Sequence, residues 1–168
     1  MEKLYAGIAV ILILHITGCA APIWSGTPSS RTVENEYYSA KVTPNCDKNS
    51  GCKYFTLNIS NKTNKEFEID WNRTQYIKGN QTLRGFFFEG IKYMERNNKK
   101  NPDTVFANSS LQKDIYPTDL VTYVSGEPGE WGHSKMGSGT HGVYLAVIVD
   151  GNKISESITI DIGYMLEK

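Results

Sequence analysis

The feature of this sequence that most constrains its fold is the alternation of apolar and polar residues at a period of two. The alternation runs through residues 38–43, 55–60 and 66–71, and it returns in 143–149 and 154–162. Successive side chains of a strand point to opposite faces, so such a row places one face inward and the other in water. No apolar pattern of period 3.6 persists for three turns after the first 18 residues. The pattern therefore predicts strands rather than helices.

The segments between these rows predict tight turns. Residues 61–64 (NKTN) separate two alternating rows, which are either a hairpin or neighbouring strands of a sandwich. Asp150-Gly151 suits a primed turn that needs positive φ, so 143–162 is the clearest hairpin. Shorter strands are predicted at 75–78, 84–89, 104–107 and 120–125. We expect an all-β fold, a single antiparallel β-sandwich with an immunoglobulin-like arrangement as one form of it and a small barrel as the alternative.

The N-terminus has the features of a secretory signal. Residues 4–16 are apolar except for His15, a run too short to span a bilayer but of the right length for a signal core. Ile16-Thr17-Gly18-Cys19 follows at once and resembles the lipobox of bacterial lipoproteins. That resemblance implies a diacylglyceryl group on the Cys19 thiol, cleavage just before Cys19 by signal peptidase II, and acylation of the new amine. A cysteine is the residue type that supplies the sulfur nucleophile for such a thioether.

The resemblance also implies a domain organisation and a location. Residues 1–18 would be the signal peptide, 19–33 the lipidated cysteine with a flexible tether rich in Pro, Gly and Ser, and 34–168 the β-sandwich domain. The protein would be held in the bacterial cell envelope, with the membrane as a partner through lipid on Cys19. Ala20 favours the outer membrane, facing the periplasm or the surface, if the host has two membranes.

Cys46 and Cys52 flank five polar or small residues. Outside the cytoplasm two such cysteines can oxidise, and we predict a disulfide that stabilises the fold by about 2 kcal/mol in the chain-entropy estimate. The alternative is a metal site shared with His133 and His141. Zinc sites usually place their cysteines two to four residues apart, so the spacing favours the disulfide.

Charge and motifs exclude several function classes. The formal net charge is zero, which argues against a nucleic-acid partner because phosphates demand clustered Lys and Arg. The densest basic run, Arg96 to Lys100, is interpreted as a solvated loop. We find no phosphate loop, dinucleotide fingerprint or G-x-S-x-G motif, so we expect no cofactor and no enzyme activity. The enzymatic alternative is a hydrolase that uses His133 or His141 with a serine or carboxylate.

Two aromatic features are candidate contact sites. In Phe86-Phe87-Phe88 the middle ring points away from its neighbours if the run is a strand. Phe87 is then either covered by another element or exposed as an interaction patch. Trp131 lies in the glycine-rich segment 125–142, where it could stack on a sugar, anchor a partner, or fold back onto the core.

The segment Asn61 to Asn72, a polar turn followed by an alternating strand that ends in Asp-Trp-Asn, resembles small uncharacterised bacterial envelope proteins. This resemblance implies no activity. We therefore expect a membrane-anchored, non-enzymatic binding or structural module whose partner is an envelope protein or a polysaccharide. Carbohydrate or cell-wall binding through exposed aromatics is one alternative, and the loop-borne hydrolase is the other.

Overall fold

The computed structural model describes residues 22–126 and 130–166, so the predicted signal peptide and Cys19 lie outside the described residues. It contains fourteen strands and two short 3₁₀ helices, Tyr93–Glu95 and Thr118–Leu120. The strands are β1 (Pro22–Thr27), β2 (Arg31–Glu34), β3 (Tyr38–Asp47), β4 (Gly51–Asn61), β5 (Phe67–Ile69), β6 (Gln75–Lys78), β7 (Gln81–Thr82), β8 (Phe86–Phe87), β9 (Asp103–Val105), β10 (Ser110–Pro117), β11 (Val121–Tyr123), β12 (Trp131–His133), β13 (Gly139–Val149) and β14 (Asn152–Leu166). No described helix is long and apolar enough to cross a membrane.

The strands form two sheets and a small ribbon, and the pairings between described strands are antiparallel. The first sheet has the order β1-β14-β13-β5-β9, with β6 also paired to β13 and β7 to β6. The second sheet has the order β2-β3-β4-β10-β8, and β11 pairs with β12 as a separate ribbon. The predicted all-β antiparallel sandwich is confirmed. The alternating rows of β4 and β5 lie in opposite sheets and do not form a hairpin.

The core lies between the two sheets and is made of the inward rows that the alternation predicts. Both sheets contribute buried side chains to one cluster: Tyr38, Ala40, Val42, Phe55, Leu57, Ile59, Phe67, Ile69, Val143, Leu145, Val147, Ile158, Ile160 and Ile162. Burying a large apolar side chain contributes roughly 1.5–3 kcal/mol, so these rows are the main source of stability. The β13–β14 hairpin turns at Asp150 and Gly151, whose φ values of 48° and 78° confirm the predicted turn.

Residues 22–33 are not a tether, which corrects the predicted domain boundary. Strand β1 pairs with β14 from Pro22 opposite Leu166 to Thr27 opposite Asp161, and β2 pairs with β3. Trp24 is only 5% exposed. A Cβ at Gly26 would come within 2.6 Å of the Pro44 side chain, so the small residue that suggested flexibility allows close packing instead. Strands β1 and β2 therefore belong to the domain.

Strand β10 is an inner strand of the second sheet, but the sequence analysis did not predict it. It pairs with β4 on one side and with β8 on the other. Its inward row runs through Leu111, Lys113 and Ile115, and the lysine interrupts the apolar pattern. Lys113 is accommodated because its ammonium group lies 2.5 Å from the Asp103 carboxylate and 4.2 Å from the centre of the Phe88 ring.

Candidate functional site

The predicted disulfide is present. Cys46 and Cys52 lie opposite each other on β3 and β4, and their sulfurs are bonded at 2.02 Å. The turn between them is held by Asp47, whose carboxylate accepts the backbone N–H groups of Ser50 and Asn49 at 2.7 and 3.0 Å. These hydrogen bonds, that of Ser50 foremost, lower the pKa of Asp47. Bonded to each other, the two sulfurs are not available as zinc ligands.

His141 is buried in the core near the start of β13. The Tyr76 hydroxyl donates to Nδ1 of His141, and the Nε2–H group donates to the Gly137 carbonyl at 2.9 Å. The carbonyl can only accept, which assigns the proton to Nε2 and leaves Nδ1 as the acceptor. Burial lowers the pKa of His141 and Lys78 lowers it further, while the hydrogen bond to Gly137 and the charge of Asp161 raise it. Burial also raises the pKa of the Tyr76 hydroxyl.

The two histidines therefore lie in different surroundings. Each ring nitrogen of His141 has a partner, and neither partner is the serine or carboxylate that the hydrolase alternative requires. The His133 ring lies on the outer face of the second sheet, 5.2 Å from the Tyr116 ring. Burial lowers the pKa of His133, and the nearby Lys53 lowers it further. Within the described ranges, no group of three or more His, Cys, Asp or Glu side chains could hold a metal ion.

Phe87 is fully buried, with 0% of its surface exposed. It points to the outer face of the second sheet, where it packs with Tyr116 under the β11–β12 ribbon. Val121 of the ribbon belongs to the same buried cluster. The prediction of an exposed interaction patch at Phe87 is therefore wrong. The alternative, that another element covers this ring, is correct. The physical reason is that the ribbon packs on the outer face of the second sheet and so shields the aromatic side chains on that face from water.

Trp131 folds back onto this second cluster but stays partly accessible. Its ring packs edge-to-face on Phe87 at 4.8 Å and on Tyr116 at 5.1 Å. Opposite Trp131 on the ribbon, the Tyr123 side chain is 53% exposed, and its ring lies 5.6 Å from that of Tyr93. We call the accessible rings of Tyr93, Tyr123 and Trp131 the aromatic patch. They form a surface on which a flat apolar face could stack.

A second surface surrounds the start of β1. The Trp24 backbone N–H donates to the Lys48 carbonyl at 3.1 Å, and the Lys135 ammonium group lies 4.7 Å from the centre of the Trp24 ring. Tyr164, which is opposite Trp24 on β14, is 58% exposed, and its ring centre lies 4.2 Å from that of Trp24 with the two planes tilted by 47°. The Lys135 ammonium group, the Lys48 backbone and an exposed tyrosine thus lie beside Trp24, two residues after Pro22. We call this set (Trp24, Lys48, Lys135 and Tyr164) the β1 end.

A polar groove of about 410 Å³ crosses the outer face of the first sheet. One wall is the turn between β5 and β6, where the Asp70 N–H donates to the Ala146 carbonyl at 3.0 Å. Across it Tyr144 donates to the Ser155 hydroxyl at 2.8 Å, and Arg73 lies 4.0 Å from Asp70. The groove offers hydrogen-bond donors and acceptors and side chains of both charges. Sequence reasoning missed it because its walls come from the β5–β6 turn, β6, β13 and β14.

No protein-family model, curated protein or solved structure matches this chain.

Proposed function

We propose that this protein is a lipid-anchored module of the bacterial envelope, held to the membrane through Cys19, with a non-enzymatic binding or structural role. The observation that carries the proposal is the position of β1. Its first residue, Pro22, is the third residue after Cys19, and β1 is paired with β14 from that residue onward. Acyl chains on Cys19 would therefore hold the domain directly against the bilayer rather than at the end of a tether.

The chemistry of the β1 end supports this arrangement. Lys135 and the Trp24 ring beside it would lie at the height of lipid headgroups, where a basic residue contributes about 1 kcal/mol of attraction to an anionic leaflet. Tyr164 is exposed beside them, and tyrosine is enriched at membrane–water interfaces because its ring is apolar and its hydroxyl is polar. The lipid would supply the anchoring energy, and these residues would orient the domain.

The anchor is tested by labelling growing bacteria with a fatty-acid analogue. We expect label on the wild-type chain and none on Cys19→Ser. The matched control is Cys46→Ser/Cys52→Ser, which removes the two disulfide-bonded cysteines and is expected to retain the label. Equal labelling of wild type and Cys19→Ser would overturn the proposal.

The close contact with the bilayer is tested separately. In vesicles, Lys135 should be protected from an amine-reactive reagent relative to Lys65, which pairs with Asp150 at the β13–β14 turn. Insertion of about twenty Gly and Ser residues between Ala21 and Pro22 should remove this protection, since such a linker behaves as a flexible coil. If Lys135 reacts as fast as Lys65 in the wild type, the domain does not rest on the membrane.

The binding role has one specific candidate surface, the aromatic patch. Tyrosine and tryptophan supply a large contact area with a polar edge, which suits a polysaccharide or an envelope protein. We expect retention on isolated cell wall to fall in Tyr123→Ala, whose ring is largely solvent-exposed and contributes little to the core. Trp131→Ala should reduce retention further, with some loss of stability because Trp131 packs on Phe87.

The matched control for the aromatic patch is Phe106→Ala, which removes an exposed ring beyond β9, outside the patch. Unchanged retention of Phe106→Ala beside weakened Tyr123→Ala supports the patch. A wild-type chain that the cell wall does not retain, combined with specific capture of one envelope protein by crosslinking at the aromatic patch, would identify a protein partner instead of a polysaccharide. Absence of both would refute binding at this surface.

A further inference from the structure

The segment between β8 and β9 contributes residues 96–100 to the wall of a basic pocket of about 200 Å³. Four cationic side chains line this pocket, together with a threonine, and none of its lining residues is Asp or Glu. The residues that matter for the argument are Arg84, Arg96, Lys99, Lys100 and Thr118. They come from three separate parts of the chain, and only the fold brings them together.

The pocket wall is held in place by the protein itself. Asn72 donates to the Lys100 carbonyl at 2.8 Å and accepts the Lys100 backbone N–H at 2.9 Å. Arg96 donates to the Tyr93 carbonyl at 3.1 Å, and its guanidinium lies 4.1 Å from the centre of the Tyr93 ring. The Lys100 ammonium group donates to the Arg96 carbonyl at 3.3 Å. The Arg96 and Lys100 side chains are thus held in place before a ligand binds, which reduces the entropy cost of binding.

The cations of the pocket exceed the acids that neutralise them. Arg84 is paired with Asp119, whose carboxylate lies 2.7 Å from the Arg84 Nε. No acid pairs with Arg96, Lys99 or Lys100 among the ion pairs of the described residues. Burial lowers the pKa of Lys100, as expected for an ammonium group that is partly desolvated. An anion in the pocket would remove this penalty.

Thr118 gives an independent indication of a ligand. The residue is 6% exposed, and its hydroxyl has no hydrogen-bond partner among the described residues. A buried hydroxyl without a partner costs about 1–3 kcal/mol relative to one that is hydrogen-bonded. Thr118 lines the same pocket as the cations, so a ligand oxygen there would satisfy it.

We propose that this pocket binds a phosphate group, through Arg96, Lys99 and Lys100 as cationic donors and the Thr118 hydroxyl as a neutral one. A phosphate has several oxygens that point in different directions, so it can accept from donors on opposite walls at once. The phosphate can belong to a lipid headgroup or to a soluble phosphate ester, and both present the same chemistry to these residues. The inference goes beyond the proposed anchor and does not depend on it.

The test is calorimetric titration of the full-length chain, in neutral detergent at low ionic strength, with inorganic phosphate. We expect saturable binding with one phosphate per chain and at least about tenfold weaker binding in Arg96→Gln/Lys99→Gln, since each charge-assisted hydrogen bond contributes about 1.5–3 kcal/mol. Thr118→Val should weaken binding severalfold without changing the charge. Cys19→Ser should bind as the wild type does, which separates this result from that of the anchor.

The matched control is Arg31→Gln/Lys41→Gln, which makes the same change in net charge on β2 and β3, where both residues are exposed. Binding within about twofold of wild type is expected there. The absence of saturable binding by the wild type, equal weakening in both double variants, or equal affinity for acetate would overturn the proposal. Mixed micelles containing phosphatidylglycerol then identify the source: competition with inorganic phosphate indicates a lipid headgroup, and its absence a soluble phosphate.

Discussion

The inward lysine of β10 gives the sharpest prediction about stability. The Lys113 ammonium group lies 2.5 Å from the Asp103 Oδ2 atom, 4.2 Å from the centre of the Phe88 ring and 5.3 Å from that of Trp71. The same Asp103 oxygen accepts the Trp71 indole N–H at 2.9 Å. The Asp103 side chain is 29% exposed and the Lys113 side chain 26%. Asp103 therefore accepts from two partly buried donors that have no other acceptor among the described residues.

Replacing Asp103 by Ala leaves both donors without their acceptor. A charge-assisted hydrogen bond contributes about 1.5–3 kcal/mol and a neutral one about 1 kcal/mol, and water reaches part of this pair. We expect a loss of about 2–3 kcal/mol. Lys113→Met should cost about 1 kcal/mol, because the apolar chain continues the inward row while Asp103 keeps its bond to Trp71. The double variant should be more stable than the sum of the single effects implies, by about 1–2 kcal/mol.

Urea unfolding of the four chains, followed by far-UV circular dichroism, measures this coupling energy. The matched control is the Lys62–Glu34 pair on the surface, at 2.8 Å with side chains 37% and 62% exposed, where exposed pairs give at most about 1 kcal/mol. A coupling energy between Asp103 and Lys113 no larger than that of the control pair would refute the reasoning. It would mean that water, not the protein, solvates this lysine.

Three further outcomes are expected from substitutions elsewhere. Gly142→Ala should cost about 3 kcal/mol in urea unfolding, because its Cβ would come within 2.1 Å of a backbone oxygen of β14, whereas Gly163→Ala meets nothing within 4 Å and should be near neutral. Because the pKa of His141 is lowered in the folded protein, the unfolded chain binds a proton on this residue at a pH just below 6.5, where the folded chain does not. Stability should therefore be highest above the ordinary pKa of 6.5 and fall below it by up to about 1.4 kcal/mol per pH unit. His141→Gln should reduce this slope because glutamine does not titrate, and an unchanged slope would contradict the reasoning. Cys46→Ala/Cys52→Ala should lower the free energy of unfolding by about 2 kcal/mol, and a reductant should then have no further effect on that variant.

The sequence alone determined which residues face inward along the long strands and where the chain turns. The rows of β3, β4, β13 and β14 are readable because side-chain direction in a strand depends only on position along it. The positive φ at Gly151 and the short span between Cys46 and Cys52 are equally local. These features predicted the sandwich, its clearest hairpin and its disulfide.

The tertiary structure decided those features that depend on contacts with residues far away in the chain. Strand β1 has a composition typical of a flexible segment, yet its backbone hydrogen bonds to β14 order it regardless of side chain. Strand β10 was hidden because its inward Lys113 is satisfied by Asp103, a residue of another strand. The burial of Phe87 likewise depends on the β11–β12 ribbon, more than thirty residues further along the chain.

The basic pocket shows the same division between local and distant information. Arg96 to Lys100 is a basic run that local reasoning interprets as solvated, since nothing near it in the sequence needs its charge. In the folded protein this basic run contacts Asn72 and lines the same pocket as Thr118, whose hydroxyl has no partner among the described residues. Periodicity and turns are properties of neighbouring residues, whereas burial, pairing and charge balance are set by contacts between residues far apart in the chain, which only the folded structure specifies.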